Sequence, residues 1–241
     1  MIDQNTRLLS FCPTRGRPHK LKDLLESFDK TKSVGTEMLV YVAHNDDCLE
    51  EYKNVLNGRN FVIGEKNRCL VEVVNHITCE LYPNMPYYQC LNDDHYIHTK
   101  GFDNILIDKI QRDGKGWGIA FGRSLVNEDI WKTFRHPSAE VISGNIPRTL
   151  GYYCTPLLQH LQADTFCRDI GEGINKIFRV MEVVIEHRHF INGKSEMDEG
   201  YRNVYSKEQQ KIGWDRYAEY NNVYFNRDID KILKAIALGV K

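Results

Sequence analysis

Apolar and polar positions in the first half of the chain alternate between short strand runs and helical stripes. Leu8-Leu9-Ser10-Phe11 is a short apolar run, and Pro13, Gly16 and Pro18 break regular structure behind it. Leu21, Leu24, Leu25 and Phe28 recur at i, i+3, i+4 and i+7, one face of an amphipathic helix. Met38 to Ala43 predicts a second strand, ended by His44-Asn45-Asp46-Asp47, and Phe61-Val62-Ile63 a short third. Leu70, Val73, Val74, Ile77 and Leu81 predict a helix over 70–81. Tyr87-Tyr88-Gln89-Cys90-Leu91 predicts a fourth strand, running into Asn92-Asp93-Asp94-His95. This alternation predicts an α/β fold whose mostly parallel sheet is flanked by helices.

The second half is less regular. Gly118 to Phe121, Val141-Ile142 and Val183-Val184-Ile185 read as strands, the last ending at Glu186-His187-Arg188-His189. Ile229, Ile232, Leu233 and Ile236 mark a C-terminal amphipathic helix. The stretch 195–227 is polar but rich in Tyr and Trp, which predicts a flap or a segment packed on the core.

Composition narrows the class without changing this picture. The chain has 241 residues, 41% hydrophobic and 27% charged, ordinary for a globular protein with a sizeable core. No apolar run is long enough to span a bilayer, and the polar start lacks the pattern of a signal peptide. A net charge of −1 supplies no global field for nucleic acid. The densest basic patch is Arg15, Arg17, His19, Lys20 and Lys22. The seven cysteines are odd in number and show no C-x-x-C spacing, so reduced thiols in a reducing cytoplasm are expected.

In parallel α/β sheets, ligands bind outside the C-terminal edges of the strands. Pro13-Thr14-Arg15-Gly16-Arg17, Asn45-Asp46-Asp47 and Asp93-Asp94-His95 all fall at such edges, so three polar clusters should converge on one crevice. Adjacent carboxylates repel unless solvent or a cation neutralises them. A hard divalent cation holding a diphosphate is one reason to build such a pair, and a polar turn at a strand end is the other reading. Arg15 or Arg17 could fork to phosphate oxygens, with Gly16 letting the backbone approach, or could be solvated loop arginines. The first loop matches neither a P-loop nor a dinucleotide fingerprint. Asp46 and Asp47 could accept from a base or ribose, or cap a helix. His187 and His189, at i and i+2, share one side of a strand and suit Mn²⁺ or a similar ion. Asp164 reads as a helix cap closed by Gly171, or as a general base, with Asp169 beside it.

Taken together, these pieces resemble the GT-A glycosyltransferases, in particular the family-2-like branch and its phage-encoded members. Phe11-Cys12-Pro13-Thr14-Arg15-Gly16-Arg17-Pro18 looks like the opening nucleotide-binding turn. Asp46 and Asp47 lie where the base-binding acid follows the second strand. Leu91-Asn92-Asp93-Asp94-His95, continued by Thr99, Gly101, Phe102 and Asp103, looks like the DXD-type motif. Gly144-Asn145 with Arg148, Leu150-Gly151-Tyr152, Asp164 and Asp169, and Glu186-His187-Arg188-His189 with Gly193-Lys194 and Asp198 look like the acceptor half. Asn92 stands where many members carry a small residue, and the usual Glu-Asp pair of the base motif is missing.

The resemblance implies a nucleotide-sugar donor, most simply a UDP-sugar, bridged by Mn²⁺ or Mg²⁺, and transfer to an acceptor hydroxyl with inversion. It implies a catalytic domain over 1–205, with a nucleotide-sugar half to about residue 100 and an acceptor half beyond, and a helical extension over 206–241. Donor contacts fall to Pro13, Thr14, Arg15, Arg17, Asp46, Asp47, Asn67, Asp93 and Asn145. The metal falls to Asp94 with His187 or His189, and the base to Asp164 or Asp169. Three other functions fit the residues: glycosylation of hydroxymethylated bases in phage DNA, nucleotidyl transfer, and a silent sugar-binding module using Tyr87, Tyr88, Trp117, Tyr152 and Tyr153.

Overall fold

The structure, a computed structural model, describes residues 2–66, 68–125 and 137–240. Asn67, one of the expected donor contacts, lies outside the described residues. Among the described residues there are eight strands: β1 (Leu8–Thr14), β2 (Thr36–Val42), β3 (Asn60–Ile63), β4 (Tyr87–Cys90), β5 (His95–Ile97), β6 (Ile119–Arg123), β7 (Val141–Ser143) and β8 (Ile177–His187). They form one curled sheet in the order β3-β2-β1-β4-β7-β6-β8-β5. β1 pairs in parallel with β2 and β4, β2 with β3, and β6 with β8. β7 and β5 run against their neighbours. The expected mostly parallel α/β sheet is therefore present, with a strand of the second half in every antiparallel pair.

The central strands are buried on both faces, as parallel strands require. Leu9 and Phe11 of β1 point into one apolar layer, and Leu8 and Cys12 into the other. Helix α1 (Pro18–Thr31) covers the second layer with Leu21, Leu24, Leu25 and Phe28, at most 2% exposed. Burying one such side chain contributes about 1.5–3 kcal/mol. Pro18 opens this helix, where its missing N–H costs nothing. Helix α2 (Leu49–Val55) links β2 to β3. Helix α3 (Leu70–Asn75) covers the opposite face and widens into one π-helical turn over His76–Leu81, so the helix expected over 70–81 is two conformations in series.

Helix α4 (Phe102–Gly114) and the short strand β5 were not visible in the apolar pattern. Helices α5 (Asn145–Leu150) and α6 (Ala163–Gly173) follow β7. Gln162 caps α6 at φ 72°, and Asp164 is the second helical residue rather than the cap. Gly171 lies inside α6, where a Cβ would come within 2.9 Å of Ile177, so it serves close packing and does not end the helix.

The stretch 195–227 is helical: α7 (Glu199–Val204), α8 (Lys207–Val223) and the start of α9 (Phe225–Ala237). Tyr217, Tyr220, Ile229 and Ile232 join the same buried cluster as Leu9, Phe11 and Ile119. Tyr152 and Tyr220 donate to Asp228, which is 0% exposed. Tyr87, Tyr88, Trp117 and Tyr153 are core residues, at most 5% exposed, so these rings are not offered to a sugar. All seven cysteines are unpaired. Among the described residues no helix is long and apolar enough to cross a membrane.

Candidate functional site

The three acidic and basic clusters do meet at the C-terminal edge of the sheet. Gly16 takes φ +67°, a conformation costly for side-chain-bearing residues, and its N–H donates to Asp46 Oδ2 at 2.6 Å. Asp46 Oδ1 accepts from Cys48 N at 2.8 Å. Asp46 Oδ2 thus ties the first loop to the second while Oδ1 closes a turn within its own loop, and the cap of α2 is Cys48 rather than Asp46. Asp47 and Arg15 are exposed on the same rim. Thr14 Oγ1 donates to Asp93 Oδ2 at 2.8 Å, and Tyr52 bonds both Thr14 Oγ1 and Arg17 N. Arg17 Nη1 lies 3.3 Å from Asp93 Oδ1. Pro13 sits half-buried just before this network. Asp93 is therefore internal to the loop network. Burial and the adjacent Asp94 push its carboxyl up to about 6 against the pull of Arg17 and Thr14.

Asp94 has a different environment. Its Oδ1 lies 3.1 Å from His187 Nε2, because β5 pairs with β8 at His95 and His187. Both atoms are buried and neither is aligned for a hydrogen bond. Asp94 Oδ2 accepts from the Tyr201 hydroxyl. Burial raises the Asp94 carboxyl, but His187, His95 and Tyr201 outweigh it and hold the group well below the usual carboxylate range. A carboxylate and an imidazole whose facing atoms lack partners are a chemically suitable pair for Mn²⁺ or Mg²⁺.

Ligand atoms of Asp94, His95 and His187 all lie within 4.8 Å of one another. Hydrogen bonding nevertheless sets His95 apart. Its Nδ1 accepts from Asn92 N at 3.0 Å, and burial holds the ring neutral, with its pKa down at about 3. Nε2 must then carry the proton, 3.0 Å from Ser138 Oγ. No lone pair remains for a metal. The His95 ring instead packs edge-on against His187 at 4.6 Å and orients it.

His189, expected to compete for the metal, is outside this donor group. Its Nδ1 accepts from Ile191 N at 3.2 Å as the cap of the turn Phe190–Asn192. Its ring packs among Phe190, Tyr201 and Tyr205. Burial is the main reason its pKa falls to about 4. The next charged group along the strand, Glu186, faces Lys194, His98 and Arg188 and belongs to a surface ion network.

The two base candidates separate. Asp164 is exposed at the start of α6, its Oδ1 accepting from Thr165 N at 2.8 Å. Burial first, then the charges of Asp164 and Asp94, push the Tyr205 hydroxyl up to about 12. Asp169, five residues on, is turned about 140° around the helix. It accepts from Tyr217 and pairs with Arg168 at 2.6 Å, away from the crevice. Asn145 is also misplaced by the sequence reading. β7 runs antiparallel to β4, so α5 starts at the opposite edge, where Asn145 bonds Gly116 O and Arg148 at 3.3 and 2.5 Å.

Sequence reasoning missed several members of the site. Tyr52, Ser138 and Tyr201 reach it from distant elements. The spacing Asp198-x-x-Tyr201 was the one available signal, since Asp198 caps α7 and accepts from Tyr201 N at 3.0 Å.

No protein-family model and no curated protein sequence matches the chain. Solved structures do. TarS 1-349 of S. aureus superposes with TM-score 0.57 at 12% identity, over 98% of this chain and 76% of that one. The mannosyltransferase PcManGT of Pyrobaculum calidifontis, in complex with GDP-Man and Mn²⁺, gives 0.58 at 12%, over 96% and 74%. Glucosyl-3-phosphoglycerate synthase of Mycobacterium tuberculosis, in complex with Mn²⁺, UDP-Glc and phosphoglyceric acid, gives 0.58 at 12%, over 88% and 79%. The fold is thus the GT-A arrangement of these glycosyltransferases.

Proposed function

We propose that this chain is a metal-dependent glycosyltransferase moving a sugar from a nucleoside-diphosphate sugar to an acceptor hydroxyl. The observation that carries the reading is the buried Asp94–His187 pair, with facing atoms that lack hydrogen bonds, beside the cations Arg17 and Lys20. The GT-A neighbours in complex with Mn²⁺ and GDP-Man or UDP-Glc support it.

Asp94 and His187 would hold the divalent metal, and His95, neutral and donating towards Ser138, would keep the His187 ring in place. When bound, the metal supplies positive charge to the leaving diphosphate. Arg17 adds positive charge at the same edge, and Asp93 with Thr14 fixes its position. Asp164 would take the proton from the acceptor oxygen as that oxygen attacks the anomeric carbon. The bond from that carbon to the diphosphate oxygen breaks, and its electron pair leaves with the nucleoside diphosphate. Attack opposite the leaving group inverts the anomeric centre.

The test is thermal stabilisation by UDP- and GDP-sugars, with and without Mn²⁺, on wild type and Asp94→Ala, followed by product analysis. A shift that needs both Mn²⁺ and Asp94, with nucleoside diphosphate among the products, is the expected result. Pyrophosphate release would assign nucleotidyl transfer instead. A shift indifferent to metal and to Asp94 would remove the reading. Salt-dependent binding of duplex DNA carrying hydroxymethylated bases would assign the acceptor to modified DNA.

A further inference from the structure

The roof over the carboxylate pair comes from residues 198–205. Asp198 Oδ1 lies 2.6 Å from Arg17 Nη2, and Oδ2 lies 3.1 Å from Lys20 Nζ. One carboxylate therefore spans two cations, as two oxygens of a phosphate would. Tyr201, one turn on, lies beneath the same cations, with the Arg17 guanidinium carbon 4.1 Å and Lys20 Nζ 4.9 Å from its ring centre. Its hydroxyl donates to Asp94. Gly200 makes the approach close: a Cβ there would come within 3.0 Å of Arg17 Nη2. A single six-residue helix thus engages the basic pair and the metal-binding acid together.

Charge balance identifies which contact gives way. Arg17 and Lys20 face Asp93 and Asp198, and Asp94 stands beside them. A diphosphate arriving next to three carboxylates meets strong repulsion unless one withdraws. Asp93 and Asp94 are only 6% and 3% exposed at the end of a central strand. Asp198 is 33% exposed, on a short surface helix.

On the donor reading above, we propose that Arg17 and Lys20 form an anion site for a donor phosphate and that Asp198 is an internal competitor for it. Donor entry then displaces Asp198, and with it Tyr201 from Asp94. The segment acts as a self-capping lid opened by the diphosphate.

The deciding experiment titrates inorganic pyrophosphate in metal-free buffer into wild type, Asp198→Asn and Asp215→Asn. Asparagine caps a helix as well as aspartate, so α7 keeps its start while the charge is lost. Asp198→Ser, another good cap, repeats the test if the asparagine variant folds poorly. Removing the competitor should tighten pyrophosphate roughly five- to tenfold. Asp215→Asn, which loses a charge from an exposed pair with Lys211, should change nothing. Arg17→Gln with Lys20→Gln should weaken binding. Unchanged or weaker binding in Asp198→Asn, or no pyrophosphate binding to any form, overturns the proposal. Parallel titrations with UDP and GDP plus Mn²⁺ judge the donor reading separately. Tightened pyrophosphate without nucleotide binding keeps the anion site and removes the donor. Nucleotide binding without tightening keeps the donor and removes the competition.

Discussion

Asp94 Oδ1 and His187 Nε2 face each other at 3.1 Å across the β5–β8 pair, both buried and neither hydrogen-bonded. The two lie at ion-pair distance, and on the proposed function they would hold a divalent metal ion. Asp94→Ala and His187→Ala should each abolish stabilisation by Mn²⁺ and lower turnover by about 10²–10³-fold. His95→Gln, which removes the ring that packs on His187 and alters the bonds to Asn92 and Ser138, should weaken Mn²⁺ by roughly 10- to 100-fold. Titration calorimetry with Mn²⁺ ranks the three. Full Mn²⁺ affinity in His187→Ala would remove this assignment.

The two acids of α6 should behave in opposite ways. Asp164→Asn should lower kcat by about 10²–10⁴-fold while leaving donor KM and Tm nearly unchanged. Asp169→Asn loses a charged acceptor for Tyr217 and should cost about 1–2 kcal/mol of stability, with kcat of the folded protein intact. Steady-state kinetics beside thermal melts separates them. The reverse pattern would move the base to Asp169.

A second carboxyl, unrelated to the metal, gives a pH signature. Glu140 is buried at the start of β7, accepting from Tyr153 at 3.0 Å, and burial pushes its pKa from 4.5 up to about 7. The unfolded chain ionises this group near 4.5 while the folded chain keeps it protonated to about 7. The folded state therefore holds its full advantage below 4.5 and loses it as pH rises through 7. Glu140→Gln keeps an acceptor for Tyr153 and cannot ionise. Its Tm relative to wild type should be higher at pH 8 than at pH 5. An equal difference at both pH values would contradict the buried protonated carboxyl.

The C-terminal helices should be inseparable from the sheet that carries the candidate site. Asp228 is fully buried and accepts from Tyr152 and Tyr220, so Asp228→Ala leaves two hydroxyls unpaired and should cost about 2–4 kcal/mol. A chain ending at residue 205 would expose Tyr152, Asp169 and the apolar surface that Ile229 and Ile232 cover. It should be insoluble or lack a cooperative melt. Wild-type Tm in the truncated chain would establish 206–241 as a separate extension.

The sequence by itself determined the local elements and the strand ends. Period and punctuation placed α1, β2, β3 and β4, because a buried two-faced strand must be apolar throughout and a packed helix must carry a stripe. Placing acids and arginines after those strands put them at the ligand edge of a parallel sheet, and Asp93, Asp94 and Arg17 are found there. The three residues of β5 are too short to show a period, and the helices after residue 195 carry tyrosines whose burial depends on distant aspartates. Only the tertiary structure decided which like residues do which work. Strand direction sent Asn145 to the far edge, and helix rotation set Asp169 against Tyr217 and Arg168, on another side of α6 from the exposed Asp164. A pairing register set His187 against Asp94, while one hydrogen bond from Asn92 occupied His95 Nδ1. Spacing along a chain fixes which side of an element a residue occupies. Which atoms meet across elements depends on register, direction and burial, and these exist only once the sheet has formed.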